Sequence, residues 1–163
     1  MTIPPTETAA TPVTVRVGDE ALPVPAAPST TLLDVLRGAG RTEVKEACGE
    51  GRCGACAVLV DGEMRLACIE LASRAVGCSV TTAGSAGCAP AREALAATGA
   101  IQCGFCTPAA VIALTWAADG RAGVDDALGS LICRCGCHVG FREAAARLGL
   151  GVDDGTALGS LRA

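Results

Sequence analysis

Three cysteines within nine residues constrain this chain more than any other feature: Cys48-Gly49-Glu50-Gly51-Arg52-Cys53-Gly54-Ala55-Cys56, with Cys68 after eleven intervening residues. The spacing C-x4-C-x2-C plus one more distant Cys is the plant-type way of holding a [2Fe–2S] cluster. Two irons bridged by two sulfides take four thiolates, two per iron, converging on a compact inorganic core. So short a loop supplies three of them only if its backbone curls tightly round that core. Gly49, Gly51 and Gly54 stand where such a loop needs positive φ, or backbone N–H groups close to sulfur. The predicted ligands are Cys48, Cys53, Cys56 and Cys68, and the predicted task is electron transfer. A zinc knuckle is the competing reading, but zinc sites favour paired C-x-x-C units and only one pair here fits.

The chain has 163 residues and eleven cysteines, an odd number that leaves no complete disulfide pairing within one chain. Residues 1–12 carry neither a basic n-region nor an apolar h-region, so nothing resembles a secretory signal, and a cytoplasmic location is expected. In that setting many thiols with C-x-x-C pairs read as metal-binding. Trp116, Phe105 and Phe141 are the only large aromatics, and a core of Ala and Val makes metal staples plausible contributors to stability. The formal net charge of −4, the lack of a basic patch and the scarcity of aromatics argue against nucleic acid. The longest apolar run, near 109–118, is too short to span a bilayer.

Along the chain, residues 1–12 read as a disordered lead-in and 151–163 as a loosely held tail. Val13–Val17 and Ala21–Val24 predict a hairpin about Gly18-Asp19-Glu20. Ser29, Thr30 and Thr31 offer N-caps for a helix through Leu32, Leu33, Val35 and Leu36. A second hairpin turns at Asp61-Gly62, with Cys68 expected on its return strand, and a last strand lies around 79–82. A linker of Ala, Gly and Ser follows at 83–87. Beyond it four helices are expected: from Pro90 to near Gly99, from the N-cap Thr107 with Pro108 at N1, over 124–131, and over 141–148. The expected fold class is α+β, with one cluster-binding domain over 13–83 and a helical one over 84–150.

A second cysteine set occupies the helical half. Cys103-Gly104-Phe105-Cys106 lies just before Thr107-Pro108, and Cys133-Arg134-Cys135 lies before the last helix. Two inter-helix loops at one end of a bundle can bring such chelates together, and helix N-termini favour a net-negative group there. This set alone could hold zinc or act as a thiol-redox pair. Beside a plant-type set it reads as a second [2Fe–2S] site held by Cys103, Cys106, Cys133 and Cys135.

The combination Lys45 to Cys56, Gly99-Ala100-Ile101-Gln102-Cys103-Gly104-Phe105-Cys106-Thr107-Pro108 and Cys133-Arg134-Cys135 resembles the small iron–sulfur subunit of the molybdenum hydroxylases. These comprise the xanthine dehydrogenase, aldehyde oxidoreductase and carbon monoxide dehydrogenase family. The resemblance implies an N-terminal β-grasp, ferredoxin-like domain and a C-terminal four-helix bundle, each with a [2Fe–2S] cluster. It further implies a large partner subunit with molybdopterin and a medium partner subunit with FAD, assembled as a dimer of heterotrimers. Electrons would enter at the helical-domain cluster, pass to the ferredoxin-like cluster and leave for flavin. Gln102 and Cys135 match positions that touch the pterin. No catalytic residue is assigned to this chain, which lacks phosphate-binding, dinucleotide and Ser/His/Asp motifs. A freestanding two-cluster ferredoxin and a zinc-stabilised interaction module are the alternatives.

Three departures from the family pattern stand out. Ala109 replaces Gly after Cys-Thr-Pro, the connection to Cys133 is short, and Gly136-Cys137-His138 replaces Thr-Gly-Tyr. Cys137 thereby offers a third thiolate beside Cys133 and Cys135. Cys78, Cys88 and Cys137 are expected to pack as small hydrophobes. His138 reads as a bland residue, and Trp116 and Phe105 as core.

Overall fold

The computed structural model describes residues 13–152; the expected lead-in, and the tail from 153 onward, lie outside the described residues. The chain begins with the predicted hairpin, β1 (Thr14–Val17) and β2 (Glu20–Pro23), in which Val15 and Val17 alternate into the core. Helix α1 (Leu32–Gly38) follows, and of the three candidate caps Thr31 is the one used. Its hydroxyl accepts from Asp34 N at 3.1 Å while Asp34 accepts from Thr31 N at 2.9 Å, a reciprocal capping box. Leu32, Leu33, Val35 and Leu36 bury the inner face of α1.

The second hairpin, β3 (Ala57–Val60) and β4 (Glu63–Leu66), turns at Asp61 and Gly62 with φ of 49° and 81°, as a type I′ turn requires. β4 ends at Leu66, so Cys68 lies in the following turn and not on the return strand. Ala67 N still donates to Cys56 O at 3.2 Å, which keeps that turn against the cysteine loop. The last strand, β5 (Ser79–Thr81), runs parallel to β1 and antiparallel to β3, giving the sheet order β2-β1-β5-β3-β4.

β3 is the wall shared by two cores. Val58 faces the N-terminal cluster with Val15, Leu32, Leu36 and Val80, whereas Ala57 and Leu59 pack with the helical residues. Alternation along one strand thus places the sheet between α1 and the second half. The Ala-Gly-Ser connection is firmly held: the Arg92 guanidinium donates to Ala83 O at 2.7 Å and Ser85 O at 2.8 Å, and 86–88 form a 3₁₀ turn.

Four helices follow: α2 (Ala89–Ala97), α3 (Thr107–Ala118), α4 (Val124–Gly129) and α5 (His138–Arg147). Helix α3 is central, packing on α2, α4 and β3, while α2 also packs on α5. It is apolar on every side, with Ala109 through Leu114 all buried, as a helix enclosed all round must be. Helix α4 ends at Gly129, two residues short of the expected 131, and two helix starts also differ from expectation. Cys106, not Thr107, is the N-cap of α3: Thr107 is already the first helical residue, and the Cys106 side chain makes no capping hydrogen bond. Helix α5 starts three residues before Phe141, with Cys137 as its N-cap. Phe141 is fully buried beneath that start, and His138 meets it edge-on with ring centroids 5.9 Å apart. Trp116 packs against the helical core as expected, but Phe105 is 44 % exposed and belongs to the surface.

Candidate metal centres

The nine-residue cysteine loop curls as its glycines predict, with φ of 68°, 75° and 73° at Gly49, Gly51 and Gly54. The curl turns backbone donors towards sulfur: Arg52 N lies 3.3 Å and Glu50 N 3.5 Å from Cys48 Sγ. The N–H groups of Glu50, Cys53 and Arg52, in that order, bring the Cys48 thiol down to about 6. Cys48 faces Cys53, and both are half-buried. Cys56 faces Cys68, and both are buried. Burial pushes the Cys56 thiol up to about 12, with Cys68 adding to the rise. The loop and Cys68 thus present an outer pair and an inner pair, an arrangement that would suit the two irons of a [2Fe–2S] core.

The second site is put together from two distant segments, 103–106 before α3 and 133–137 before α5. They meet because α5 passes against residue 100: a Cβ on Gly140 would stand 2.8 Å from Ala100 Cβ. Thr98 Oγ1 also donates to Gly140 O, at 3.3 Å. The same pairwise layout appears. Cys103, exposed, faces Cys135, half-buried. Cys106 faces Cys133, and both are buried. The Phe105 N–H, followed by the Cys135 thiol, lowers Cys103. Burial acts to raise Cys133, but the Cys137 N–H at 3.3 Å and the Cys106 and Cys137 thiols bring it to about 7. Burial and Cys133 push Cys106 up to about 12.

Among the described residues no group of three or more His, Cys, Asp or Glu side chains is disposed to hold a metal ion. Pairs are what a [2Fe–2S] core takes, since each iron accepts only two protein thiolates. The donor chemistry also fits: all-sulfur sets, lowered thiols at Cys48 in the first and at Cys103 and Cys133 in the second, and backbone N–H groups aimed at sulfur. When bound, such a cluster supplies reversible electron uptake.

The two sites touch. Ile132 N donates to Cys53 O at 3.0 Å, joining the neighbour of Cys133 to a cysteine of the first set. A Cβ on Gly54 would stand 2.5 Å from Ser130 O, so only glycine permits this approach. Sequence reasoning missed this contact, because a backbone hydrogen bond between distant segments leaves no residue signature. It also missed Ile69, 60 % exposed, whose side chain covers Gly51 in the first loop. Gln102 is exposed beside Cys103, and its backbone N–H points at Cys137 Sγ. Cys88 is buried as expected, while Cys78 is only half-buried and its thiol meets Asp61. Cys137 is buried as expected, within the apolar cluster of the helical half, and its thiol also neighbours that of Cys133.

An α+β chain with two pairwise thiol sites is an iron–sulfur protein of the two-cluster class. Comparison with known proteins agrees. A family model described as a 2Fe-2S iron-sulfur cluster binding domain matches residues 15–80, and a second, a [2Fe-2S] binding domain, matches 79–146. A probable xanthine dehydrogenase subunit of Bacillus subtilis is 35% identical over 141 residues, 81% of this chain and 82% of its own length. The nicotinate dehydrogenase small FeS subunit of Eubacterium barkeri is 30% identical, over 81% of this chain and 90% of its own. Among solved structures, quinoline 2-oxidoreductase from Pseudomonas putida 86 superposes with a TM-score of 0.71 at 26% identity, over 85% of this chain and 92% of that one. The aldehyde oxidoreductase of Desulfovibrio desulfuricans gives a TM-score of 0.74 at 35% identity over 84% of this chain, which spans only 17% of that longer one.

The chain belongs to the family of small [2Fe–2S] subunits of the molybdenum hydroxylases, the xanthine dehydrogenase family. It is the iron–sulfur, electron-transfer component of an oxidoreductase. No described helix is long and apolar enough to cross a membrane.

Proposed function

We propose that this subunit relays electrons from a molybdopterin centre in a large partner subunit, through two [2Fe–2S] clusters, to FAD in a medium partner subunit. Cys103, Cys106, Cys133 and Cys135 hold the entry cluster, and Cys48, Cys53, Cys56 and Cys68 hold the exit cluster. The observation that carries this reading is the Ile132 N–H to Cys53 C=O hydrogen bond, which sets the two cysteine sites side by side. Exposure supports the direction. Gln102, Cys103, Ile101 and Phe105 are exposed around the outer pair of the second site, and an apolar surface there suits a partner subunit. Gln102 and Cys135 are then the contacts to the pterin.

In this reading residues 13–83 form a β-grasp, ferredoxin-like domain and 84–150 a four-helix bundle, supported by the two hydrophobic cores. The complex is a cytoplasmic dimer of heterotrimers. This chain's own part is to hold and tune: N–H groups of Glu50 and Arg52 favour added negative charge at Cys48, and that of Cys137 does so at Cys133. Inner pairs buried in apolar surroundings keep water from half of each site.

The test is the purified complex with Cys53→Ser in this subunit. Substrate should still reduce molybdenum, while flavin reduction stalls. Wild-type flavin reduction in that variant contradicts the relay, as does a stable chain isolated without molybdenum or FAD partners.

A further inference from the structure

Four thiols suffice for a [2Fe–2S] core, yet a fifth cysteine, Cys137, is buried next to the second set. Cys137 is only 6 % exposed, comparable with Cys106 at 7 % and Cys133 at 8 %. The turn Cys133-Arg134-Cys135-Gly136-Cys137 folds back on itself: Gly136 N donates to Cys133 O at 3.4 Å, and Gly136 has φ +78°. That φ carries Cys137 over Cys133, and Cys137 N donates to Cys133 Sγ at 3.3 Å. Of the neighbouring thiols, Cys133 acts most strongly on that of Cys137, Cys135 acts on it more weakly, and Cys137 in turn acts on Cys106. Its own sulfur already has a backbone donor, the N–H of Gln102. Its backbone is anchored as the N-cap of α5, where Phe141 N donates to Cys137 O at 3.0 Å. The fifth thiol is thus fixed beside the inner pair, on the buried side of the site.

We propose that Cys137 is a reserve ligand of the second cluster, placed to replace Cys133 on the iron it shares with Cys106, and not to replace the outer ligands Cys103 or Cys135. This rests on the cluster reading above. In the exchange one iron–sulfur bond, from Cys137, forms where that of Cys133 is missing. The Cys137 thiol proton leaves to solvent, and neither iron nor sulfide changes oxidation state. One thiolate stands for another, so the site keeps its charge.

The test uses the full chain in its complex, with iron and acid-labile sulfide counted and the dithionite-reduced protein examined by electron paramagnetic resonance. Cys133→Ala should retain both cluster signals, the second with shifted g-values. Cys133→Ala/Cys137→Ala should lose the second signal and about half the iron, since each cluster carries two irons. Cys135→Ala should lose the second signal whether or not Cys137 is present. The first cluster's signal, kept in every variant, reports that the chain has folded. The proposal is overturned if Cys133→Ala is as depleted as the double variant, or if Cys137 rescues Cys135→Ala. Absence of a second [2Fe–2S] signal in the wild type would instead overturn the cluster reading itself.

Discussion

The first cysteine site is written in one loop, whereas the second exists only after the chain has folded. Three of the first four thiols lie between 48 and 56, and the glycines among them set the curl. The second four lie on two segments some thirty residues apart, brought together where α5 passes Ala100 at Gly140. Both nonetheless end in the same design, a buried inner pair and a more exposed outer pair. One design is reached by local backbone geometry and the other by helix packing. Damage to packing should therefore fall unequally on the two clusters.

The largest effects come from removing an inner or outer ligand that has no substitute. Cys53→Ala should abolish the first cluster and about half the iron while sparing the second, and Cys103→Ala the reverse; iron and sulfide counts check this. Loss of both clusters in either variant would break the separation. Next comes Phe141→Ala, which empties a fully buried site beneath the α5 start. It should cost about 3–5 kcal/mol. Thermal bleaching followed by visible circular dichroism should show the second cluster failing before the first.

Two glycines divide the comparison further. Gly140→Ala presses a methyl onto Ala100 and should destabilise the second site by about 1–3 kcal/mol. Gly54→Ala meets Ser130 O and adds left-handed strain, about 2–4 kcal/mol, but it acts on the contact between sites. Gly54→Ala should therefore slow electron exchange between clusters, read by freeze-quench spectroscopy, where Gly140→Ala should not. The smallest effect is Thr31→Ala, which removes the α1 cap. It should cost about 1 kcal/mol and lower the bleaching temperature of the first cluster only.

How much of this could be read from the sequence follows the same division. The first loop is legible because its cysteines, spacing and glycines are contiguous. Cys68 is expected on the return strand but lies in the turn after it, since the strand and that turn share apolar residues at Leu66 and Ala67. In the second site the cysteines were legible as motifs, but their pairing was not, because Cys103 meets Cys135 and Cys106 meets Cys133 only through tertiary packing. Thr107-Pro108 suggested a cap, yet the helix begins one residue earlier and Cys106 occupies the cap. Phe105 reads as core on its hydrophobicity alone, and its 44 % exposure follows from sitting in the Cys103–Cys106 loop at the molecular surface. The surplus of Cys137 was visible as a departure from pattern, but its position behind the inner pair was not.

The central claim, that one chain carries two distinct [2Fe–2S] clusters in contact, is tested most directly by spin-quantified electron paramagnetic resonance of the dithionite-reduced complex together with its iron count. The account predicts about four irons per copy of this chain, and two separate signals of one spin each, mutually broadened by proximity. A single signal with about two irons, or a colourless zinc protein, would contradict it.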